Sequence, residues 1–372
     1  MTYREIRFSA TYRLAGSKAE AAARADDICY EQTVELPPSL PLPDAVRGRI
    51  LGRVESLRKR SDAYEAIISY AAESAAGELT QLLNVLFGNI SLKPDIRLER
   101  FLLPPALLRR FRGPRFGVAG LRRHLGVSRR PLLCAALKPM GLTAEDFADL
   151  AYQFALGGID IIKDDHGLSD QPAAPFEARV RACVRAVAQA NRRTGFRSVY
   201  APNITAPHAA VTERARFARR AGAGALLFSP GLAGFDAMRA IADDPSVELP
   251  ILSHPAFQGS YVLSPTHGVS HFALFGQLVR LAGGDASIYP NYGGRFSFSR
   301  GECRSIVAGC RAPMGRLRQI LPCPGGGMTL QRIPELCRFY GSDVIFLVGG
   351  DLLAHGPSIV ENCRLFRRLV GG

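Results

Sequence analysis

Hydrophobic patterning changes near residue 125 and divides the chain into two regions. Residues 8–14 alternate apolar and polar side chains, which predicts a strand with one buried face. An alanine-rich helical stretch follows, and turn-forming residues separate the later apolar segments. The β-α-β-α-β order predicts a small α+β domain over residues 1–125. Its predicted elements are the strands Phe8–Leu14, Ala63–Ala71 and Ile96–Leu103 and the helices Ser17–Tyr30 and Gly77–Leu86.

Short apolar runs alternate with helical periodicity from residue 126 to the end of the sequence. Each run is apolar enough for a strand buried on both faces, as parallel sheets require. Eight such strand–helix units predict an α/β fold with a (β/α)8 TIM barrel over residues 126–372. A doubly wound sheet is disfavoured, because the first strand–helix turn lacks the Gly-x-Gly-x-x-Gly pattern. The eight predicted strands are Leu132–Leu137, Ile159–Ile162, Ser198–Ala201, Ala225–Phe228, Pro250–Leu252, Ala286–Tyr289, Gln319–Leu321 and Val344–Val348.

Arginine accounts for most of the net charge of +14, since only five of the 47 basic residues are lysine. A basic chain suggests nucleic acid or acidic ligands. The arginines are spread along the chain, however, and no nucleic-acid-reading motif is present, so we expect no nucleic-acid partner. No apolar run approaches the roughly 20 residues of a membrane span, and the eight cysteines show no Cys-x-x-Cys spacing. We therefore expect a cytoplasmic protein with no membrane partner, no zinc cage and no disulfide framework.

Two of the five lysines, Lys138 and Lys163, stand at the ends of the first and second predicted barrel strands. Barrel enzymes carry their chemistry at these carboxyl ends. A lysine can lose its proton or react as an amine, whereas arginine stays charged. The last two strands end in the glycine clusters Gly325–Gly327 and Gly349–Gly350. Loops at these positions bind phosphate in many barrels, and ordinary turn formation is the alternative.

The segment from Lys163 to His166 combines side chains that suit a metal site. Alternation along a strand points Lys163 and Asp165 to the same side. Asp165 offers oxygen to a hard divalent cation such as Mg²⁺. Lys163 could ligate only as the carbamate that its amine forms with CO₂, and His166 could ligate through imidazole, although nitrogen suits Mg²⁺ less well. A plain ion pair between Lys163 and Asp165 is the alternative.

Taken together and in this order, these motifs resemble the large-subunit superfamily of ribulose-bisphosphate carboxylase (RuBisCO). The resemblance is specifically to its form IV, RuBisCO-like members, which do not fix CO₂. It covers nearly the whole chain and implies a ferredoxin-like N-terminal domain before the TIM barrel. The segments that carry it are Phe87–Ile90, Arg97–Glu99, Phe111–Pro114, Leu137–Pro139, Gly157–Asp165, Pro324–Gly327 and Val348–Gly350.

The resemblance also implies roles for individual residues. Lys163 would be the carbamylated ligand of Mg²⁺, with Asp165 and His166 beside it, and Lys138 would be an acid/base group. Substrate and phosphate contacts would come from Glu31, Asn89, His254, Arg295, Gly325, Gly326, Gly327, Gly349 and Gly350. Because Glu31 and Asn89 match residues that one subunit lends to its partner's site, the resemblance implies a homodimer with shared active sites.

Four positions depart from the carboxylase pattern. His166 stands where carboxylases have the third metal ligand, a glutamate, and Met140 stands where the strand-one motif has a second lysine. Pro255 replaces an arginine that clamps one phosphate, and Arg295 stands in place of the lysine that stabilises the carboxylated intermediate. These departures argue against carboxylation, and they leave the machinery for enolisation.

We therefore expect a Mg²⁺-dependent enolisation or isomerisation of a small phosphorylated, sugar-like substrate. The resemblance places 5-methylthioribulose 1-phosphate isomerase activity, in sulfur salvage, first. Alternatives within the superfamily are 2,3-diketo-5-methylthiopentyl-1-phosphate enolase and 3-oxo-isoapionate-4-phosphate decarboxylase or hydrolase. A true carboxylase and a non-catalytic basic binding protein are the less favoured hypotheses.

Overall fold

The computed structural model describes residues 6–296, 298–354 and 358–371, and it contains two β-sheets. The first sheet is formed mainly by the N-terminal third of the chain, and the second consists of the barrel strands. The predicted fold class, a TIM barrel preceded by an α+β domain, is confirmed. No helix in these ranges is both long and apolar enough to cross a membrane.

The N-terminal sheet is built on β1, whose alternate residues Phe8, Ala10, Tyr12 and Leu14 are buried. β1 pairs antiparallel with β3 on one side and with β4 on the other. The strands of this region are β1 (Arg7–Leu14), β2 (Arg53–Arg60), β3 (Ala63–Ala71) and β4 (Ile96–Leu102). The helices are α1 (Lys18–Glu31), α2 (Asp44–Arg49), α3 (Leu79–Phe87) and α4 (Pro105–Leu108), with 3₁₀ turns at Ala72–Ala75 and Asn89–Leu92.

Strand β2 was not predicted. Its sequence, Arg-Val-Glu-Ser-Leu-Arg-Lys-Arg, lacks the apolar alternation of a half-buried strand, and its side chains are exposed or half-buried. β2 lies at the edge of the sheet and pairs only with β3 among the described strands. Charged side chains on an edge strand discourage pairing with other chains. The charged sequence that prevented the prediction of β2 therefore suits a strand at the edge of the sheet.

The second sheet contains eight strands within the described residues, all parallel to their sheet neighbours. Backbone bonds from Leu227 N–H to Pro202 O (2.9 Å) and from Ile204 N–H to Leu227 O (3.0 Å) join the third strand to the fourth and close the barrel. The strands are β5 (Leu132–Leu137), β6 (Ile161–Asp164), β7 (Val199–Ala201), β8 (Leu226–Phe228), β9 (Ile251–Ser253), β11 (Ala286–Pro290), β12 (Leu321–Gly325) and β13 (Ile345–Val348).

Helices connect these strands on the outside of the barrel. A π-helical segment, Ala273–Leu278, runs directly into the short helix α12. The helices are α5 (Gly117–Leu125), α6 (Ala144–Leu156), α7 (Phe176–Thr194), α8 (His208–Ala221), α9 (Pro230–Ala233), α10 (Phe235–Asp243), α11 (Gly259–Val262), α12 (Val279–Leu281), α13 (Arg300–Arg311), α14 (Ile333–Tyr340), α15 (Asp351–Ala354) and α16 (Ile359–Gly371).

Helix α5 lies against the amino-terminal end of the barrel. Its residues Leu121 and Leu125 are buried in one apolar cluster with side chains from the barrel strands. The buried carboxylate of Asp285, just before β11, accepts the backbone N–H groups of Phe116 (2.8 Å) and Gly117 (2.7 Å). These contacts satisfy amide groups at the start of α5 that have no partner within the helix, and they fix the helix to the barrel.

The two sheets are joined through β10 (Gly268–Val269), a two-residue strand from the loop before the sixth barrel strand. β10 pairs in parallel with β4, at the edge of the N-terminal sheet. Further along, Gln277 exchanges two hydrogen bonds with the backbone of Phe101, at 3.1 Å and 2.7 Å. The barrel therefore contributes hydrogen bonds directly to the neighbouring sheet.

Candidate active site

Two lysines lie next to each other at the carboxyl ends of β5 and β6. Parallel pairing sets Ala136 opposite Lys163 and Leu137 opposite Asp164. Lys138 follows at once and is half-buried, whereas Lys163 is only 1% exposed. The predicted placement of both lysines at this end of the barrel agrees with the structure.

Alternation along β6 separates Lys163 from Asp164. The Lys163 ammonium donates to the backbone O of Asp164 at 2.9 Å, and burial lowers the pKa of this ammonium. The Asp164 carboxylate is also fully buried, but its partners are the guanidinium of Arg179 on α7, the hydroxyl of Tyr200 and the backbone N–H of Asn203. Asp164 therefore anchors β6 to α7, and within the described residues Lys163 has no hydrogen bond to a carboxylate.

Asp165 and His166 continue from the end of β6. The amide of Asp165 donates to Leu137 O at 3.2 Å, and its side chain is 31% exposed. The His166 Nδ1 atom lies 3.5 Å from the Asp165 Oδ1 atom. Burial alone would raise the pKa of Asp165, but the His166 contact and the charges of Lys163 and Lys138 together hold it below its usual range. Asp165 is therefore an ionised oxygen donor.

His254, directly after β9, reaches the same place from the far side of the barrel. Its ring stacks on that of His166, with centroids 4.6 Å apart and planes 12° from parallel. The N–H of Ala256 donates to His254 Nδ1 at 3.2 Å, which leaves the proton on Nε2. Burial, and then the basic groups of Lys163 and His166, lower the pKa of His254 well below its usual value. His254 is therefore a neutral hydrogen-bond donor.

We call the carboxyl end of the barrel, around Lys138, Lys163, Asp165, His166 and His254, the mouth. The glycine loops after β12 and β13 border it. Gly326 and Gly327 have φ angles of 92° and 62°, the left-handed region that glycine adopts without strain. A Cβ atom placed on Gly349 would lie 3.4 Å from the Lys138 Nζ atom. The last glycine loop and the strand-one lysine are thus close enough to contact one small ligand.

Arg332 holds two of the loops together, and sequence reasoning missed it. Its guanidinium donates to Gly327 O at 2.9 Å and to Tyr292 O at 3.0 Å, joining the loops after β12 and β11. One arginine among forty-two gives no signal of such a role in a single sequence. Asn203, after β7, has a similar bracing role, because its side-chain amide donates to His166 O at 3.0 Å.

Three predicted site residues do not meet the others. Arg295 is exposed, and its guanidinium lies over the ring of Phe296 at 4.7 Å. Asn89 donates to Glu31 at 3.1 Å in the N-terminal region. Within the described ranges, neither Glu31 nor Asn89 hydrogen-bonds or ion-pairs with a side chain of the barrel mouth. Their predicted role in a partner's site stays a prediction.

The mouth fits a divalent cation on one chemical condition. Within the described residues, no three His, Cys, Asp or Glu side chains are arranged to hold a metal ion. Asp165 and His166 are too few donors alone, and a lysine ammonium has no lone pair to offer. The set is completed only if Lys163 supplies oxygen, which conversion of its amine to a carbamate would achieve.

Comparison with known proteins gives the chain's relatives. Residues 117–292 match the family model of the ribulose bisphosphate carboxylase large chain, catalytic domain. The chain is 40% identical over 370 residues to 5-methylthioribulose-1-phosphate isomerase from Rhodospirillum rubrum, covering 98% of this chain and 96% of that protein. The chain belongs to the RuBisCO-like protein family. The interval 117–292 includes both lysines, Asp165 and both stacked histidines.

The chain is also similar to two further proteins of this kind. The crystal structure of the Rubisco-like protein from Rhodopseudomonas palustris has a TM-score of 0.89 and 39% identity, covering 99% of this chain and 98% of that one. The 2,3-diketo-5-methylthiopentyl-1-phosphate enolase of Bacillus pumilus is 33% identical over 309 residues, covering 82% of this chain and 75% of the enolase. The family and fold expected from the motifs are therefore confirmed.

Proposed function

We propose that this protein enolises and isomerises a phosphorylated ketose, with 5-methylthioribulose 1-phosphate as its type of substrate. The observation that carries the proposal is the grouping of Lys138, Lys163 and Asp165 at neighbouring strand ends, with Gly349 beside Lys138. This grouping combines an amine for proton transfer with oxygen donors for a cation and a loop for a phosphate. The 40% identity to the isomerase of Rhodospirillum rubrum supports isomerisation over the alternatives.

The phosphate would bind at the backbone amides of the loops after β12 and β13. Gly325, Gly326, Gly327, Gly349 and Gly350 lack side chains that would block close approach of an anion. Because Gly349 lies beside the Lys138 side chain, a phosphate held there brings the adjoining carbons of the substrate to that amine. A single phosphate site agrees with Pro255, which supplies no cationic clamp on the opposite side.

The divalent cation, Mg²⁺ in the expectation from sequence, would be held by Lys163 as a carbamate, Asp165 and His166. When bound, it supplies positive charge that polarises the substrate carbonyl and stabilises the enediolate. The amine of Lys138 removes the proton next to that carbonyl and returns it to the neighbouring carbon. His254 donates its Nε2 proton in a hydrogen bond to a substrate oxygen, which its neutral state permits.

The proposed active assembly is a homodimer in which Glu31 and Asn89 complete the partner's mouth. Support comes from their location in the N-terminal region, where they contact each other at 3.1 Å. Within the described residues neither of them bonds to a side chain of this chain's own mouth, so both are available to a partner's mouth. Lys93 holds the same glutamate, with its ammonium 3.4 Å from Glu31. The pair is therefore positioned before any partner binds, which lowers the entropy lost on association.

The test is an NMR assay in D₂O with bicarbonate and Mg²⁺, using 5-methylthioribulose 1-phosphate and 2,3-diketo-5-methylthiopentyl 1-phosphate in separate samples. We expect deuterium exchange and a new ketose from the first compound. Lys163→Ala should abolish turnover, whereas Lys18→Ala, an exposed lysine in α1, should leave it unchanged. Conversion of the diketone alone would assign the enolase activity instead. Exchange with neither compound, or full activity in Lys163→Ala, would overturn the proposal.

A further inference from the structure

His166 is the chemically unusual member of the proposed cation site, because it brings nitrogen to a set otherwise made of oxygen. Its side chain is 51% exposed, and its Nδ1 atom lies 3.5 Å from the Asp165 Oδ1 atom. That separation is long for a hydrogen bond. Two atoms that each lie about 2.0–2.2 Å from one ion are separated by at most about 4.4 Å, so these two atoms are close enough to share one.

The orientation of the His166 ring is set by its surroundings. His254 is fixed by the Ala256 N–H, and its ring lies flat against that of His166 at 4.6 Å. The side-chain amide of Asn203 donates to the backbone carbonyl of His166 at 3.0 Å, which fixes the backbone that carries the ring. A half-exposed histidine with no function would not need a stacked partner and a braced backbone, whereas a metal ligand benefits from both.

We propose that His166 coordinates the cation through its imidazole and shifts the site's preference from Mg²⁺ towards first-row transition-metal ions such as Mn²⁺. The inference rests on the proposed function, since it concerns the cation of that same site. Mg²⁺ is bound mainly through oxygen, and it holds its water tightly. Imidazole suits the later first-row transition metals best, and the affinity of a nitrogen-containing site for divalent ions rises along the series that begins at Mn²⁺. Exchanging a glutamate for a histidine therefore weakens the site for Mg²⁺ more than for Mn²⁺.

The experiment uses the full chain, stripped with a chelator and loaded with Mn²⁺ in bicarbonate. Electron spin echo spectroscopy detects nitrogen bound to Mn²⁺, and protein labelled with [¹⁵N]histidine assigns that nitrogen to imidazole. Competition by Mg²⁺, followed through the signal of released Mn²⁺, measures the selectivity. We expect imidazole nitrogen coupling in the unmodified protein and its loss in both His166→Glu and His166→Gln. His166→Glu should also lower the Mn²⁺-over-Mg²⁺ preference by about tenfold or more.

Matched variants separate the proposal from its rivals. His208→Gln alters an exposed histidine at the start of α8 and should change neither the coupling nor the selectivity. Coupling that survives in His166→Gln but disappears in His254→Gln would overturn the assignment to His166. Absence of coupling with Mn²⁺ bound, or no stoichiometric Mn²⁺ binding, would also overturn it. Coupling present in a protein that exchanges no deuterium would refute the proposed reaction and leave this inference standing.

Discussion

Replacement of Arg179 by methionine should destabilise the protein severely, because it leaves a buried carboxylate without its counter-charge. Arg179 on α7 and Asp164 at the end of β6 are both fully buried, with a nitrogen–oxygen distance of 3.2 Å. The same guanidinium also donates to Ala174 O at 2.6 Å and to Ser169 O at 2.7 Å, in the segment that follows the proposed metal ligands. Methionine fills much of the volume but provides none of these contacts.

The expected loss is about 3–5 kcal/mol of the free energy of unfolding, the usual effect of removing one partner from a buried ion pair. The matched control is Arg181→Met on the same helix. Arg181 is exposed, forms a 3.4 Å pair with Glu177 one turn away and lies over the Phe217 ring at 4.7 Å, so its loss should cost about 1 kcal/mol. Because both residues lie on α7, helix propensity affects the two variants alike. The difference between their free energies of unfolding therefore reports the effect of burial.

Urea unfolding followed by circular dichroism measures both values, and tyrosine fluorescence gives a second probe because the chain has eleven tyrosines and no tryptophan. A double variant, Arg179→Met with Asp164→Leu, removes both charges and should be more stable than Arg179→Met alone. The reasoning is refuted if Arg179→Met unfolds within about 1 kcal/mol of Arg181→Met, or if the double variant recovers nothing.

Three further predictions concern single residues. Lys138→Ala should stop deuterium exchange at the substrate carbon while leaving Mn²⁺ binding intact, which NMR and spin-echo measurements check separately. Asp285→Ala should lower the free energy of unfolding by about 3 kcal/mol, because it strands three backbone N–H groups, and urea titration measures it. Burial, and then Arg97, lower the pKa of His271 to about 4, against the opposing effect of Glu302. The contribution of neutral His271 to the free energy of unfolding should therefore be fully present above pH 6.5. It should be lost, by up to about 3 kcal/mol, as the pH drops towards 4, and His271→Phe should reduce this pH dependence.

Each of these predictions has an outcome that contradicts it. Exchange at the normal rate in Lys138→Ala would remove that lysine from proton transfer. An Asp285→Ala protein as stable as the parent would mean that the freed amide groups find other partners. An unchanged pH profile in His271→Phe, compared with His208→Gln as an exposed-histidine control, would assign the acid sensitivity to other groups.

The barrel strands could be predicted because burial on both faces leaves a visible apolar signature. The predicted bounds Leu132–Leu137 agree with β5, and most of the others differ by one or two residues. β12 is the exception, because Pro322 and Pro324 interrupt its apolar run. β10 could not be predicted, since its two residues form a strand only through contact with β4, far away in the sequence.

The site was predictable where it depends on strand ends and unpredictable where it depends on contacts across the barrel. Lys138, Lys163 and Asp165 follow from their position after apolar runs. The stack of His166 on His254 joins residues that are separated by three strands, and no local pattern announces it. Arg295 lies over the Phe296 ring at 4.7 Å, and its predicted substrate contact stays a prediction, because a matching position in a loop does not determine where a long side chain points.

The strand pairing between β10 and β4 has a mechanical consequence. The segment between β9 and β11, which begins with His254, is bound to the N-terminal sheet by the β10–β4 backbone hydrogen bonds and by the two hydrogen bonds between Gln277 and Phe101. A movement of that sheet is therefore transmitted to this segment. A barrel separated from the N-terminal sheet would lose these bonds to the segment that carries His254. The two sheets should therefore unfold in a single cooperative transition.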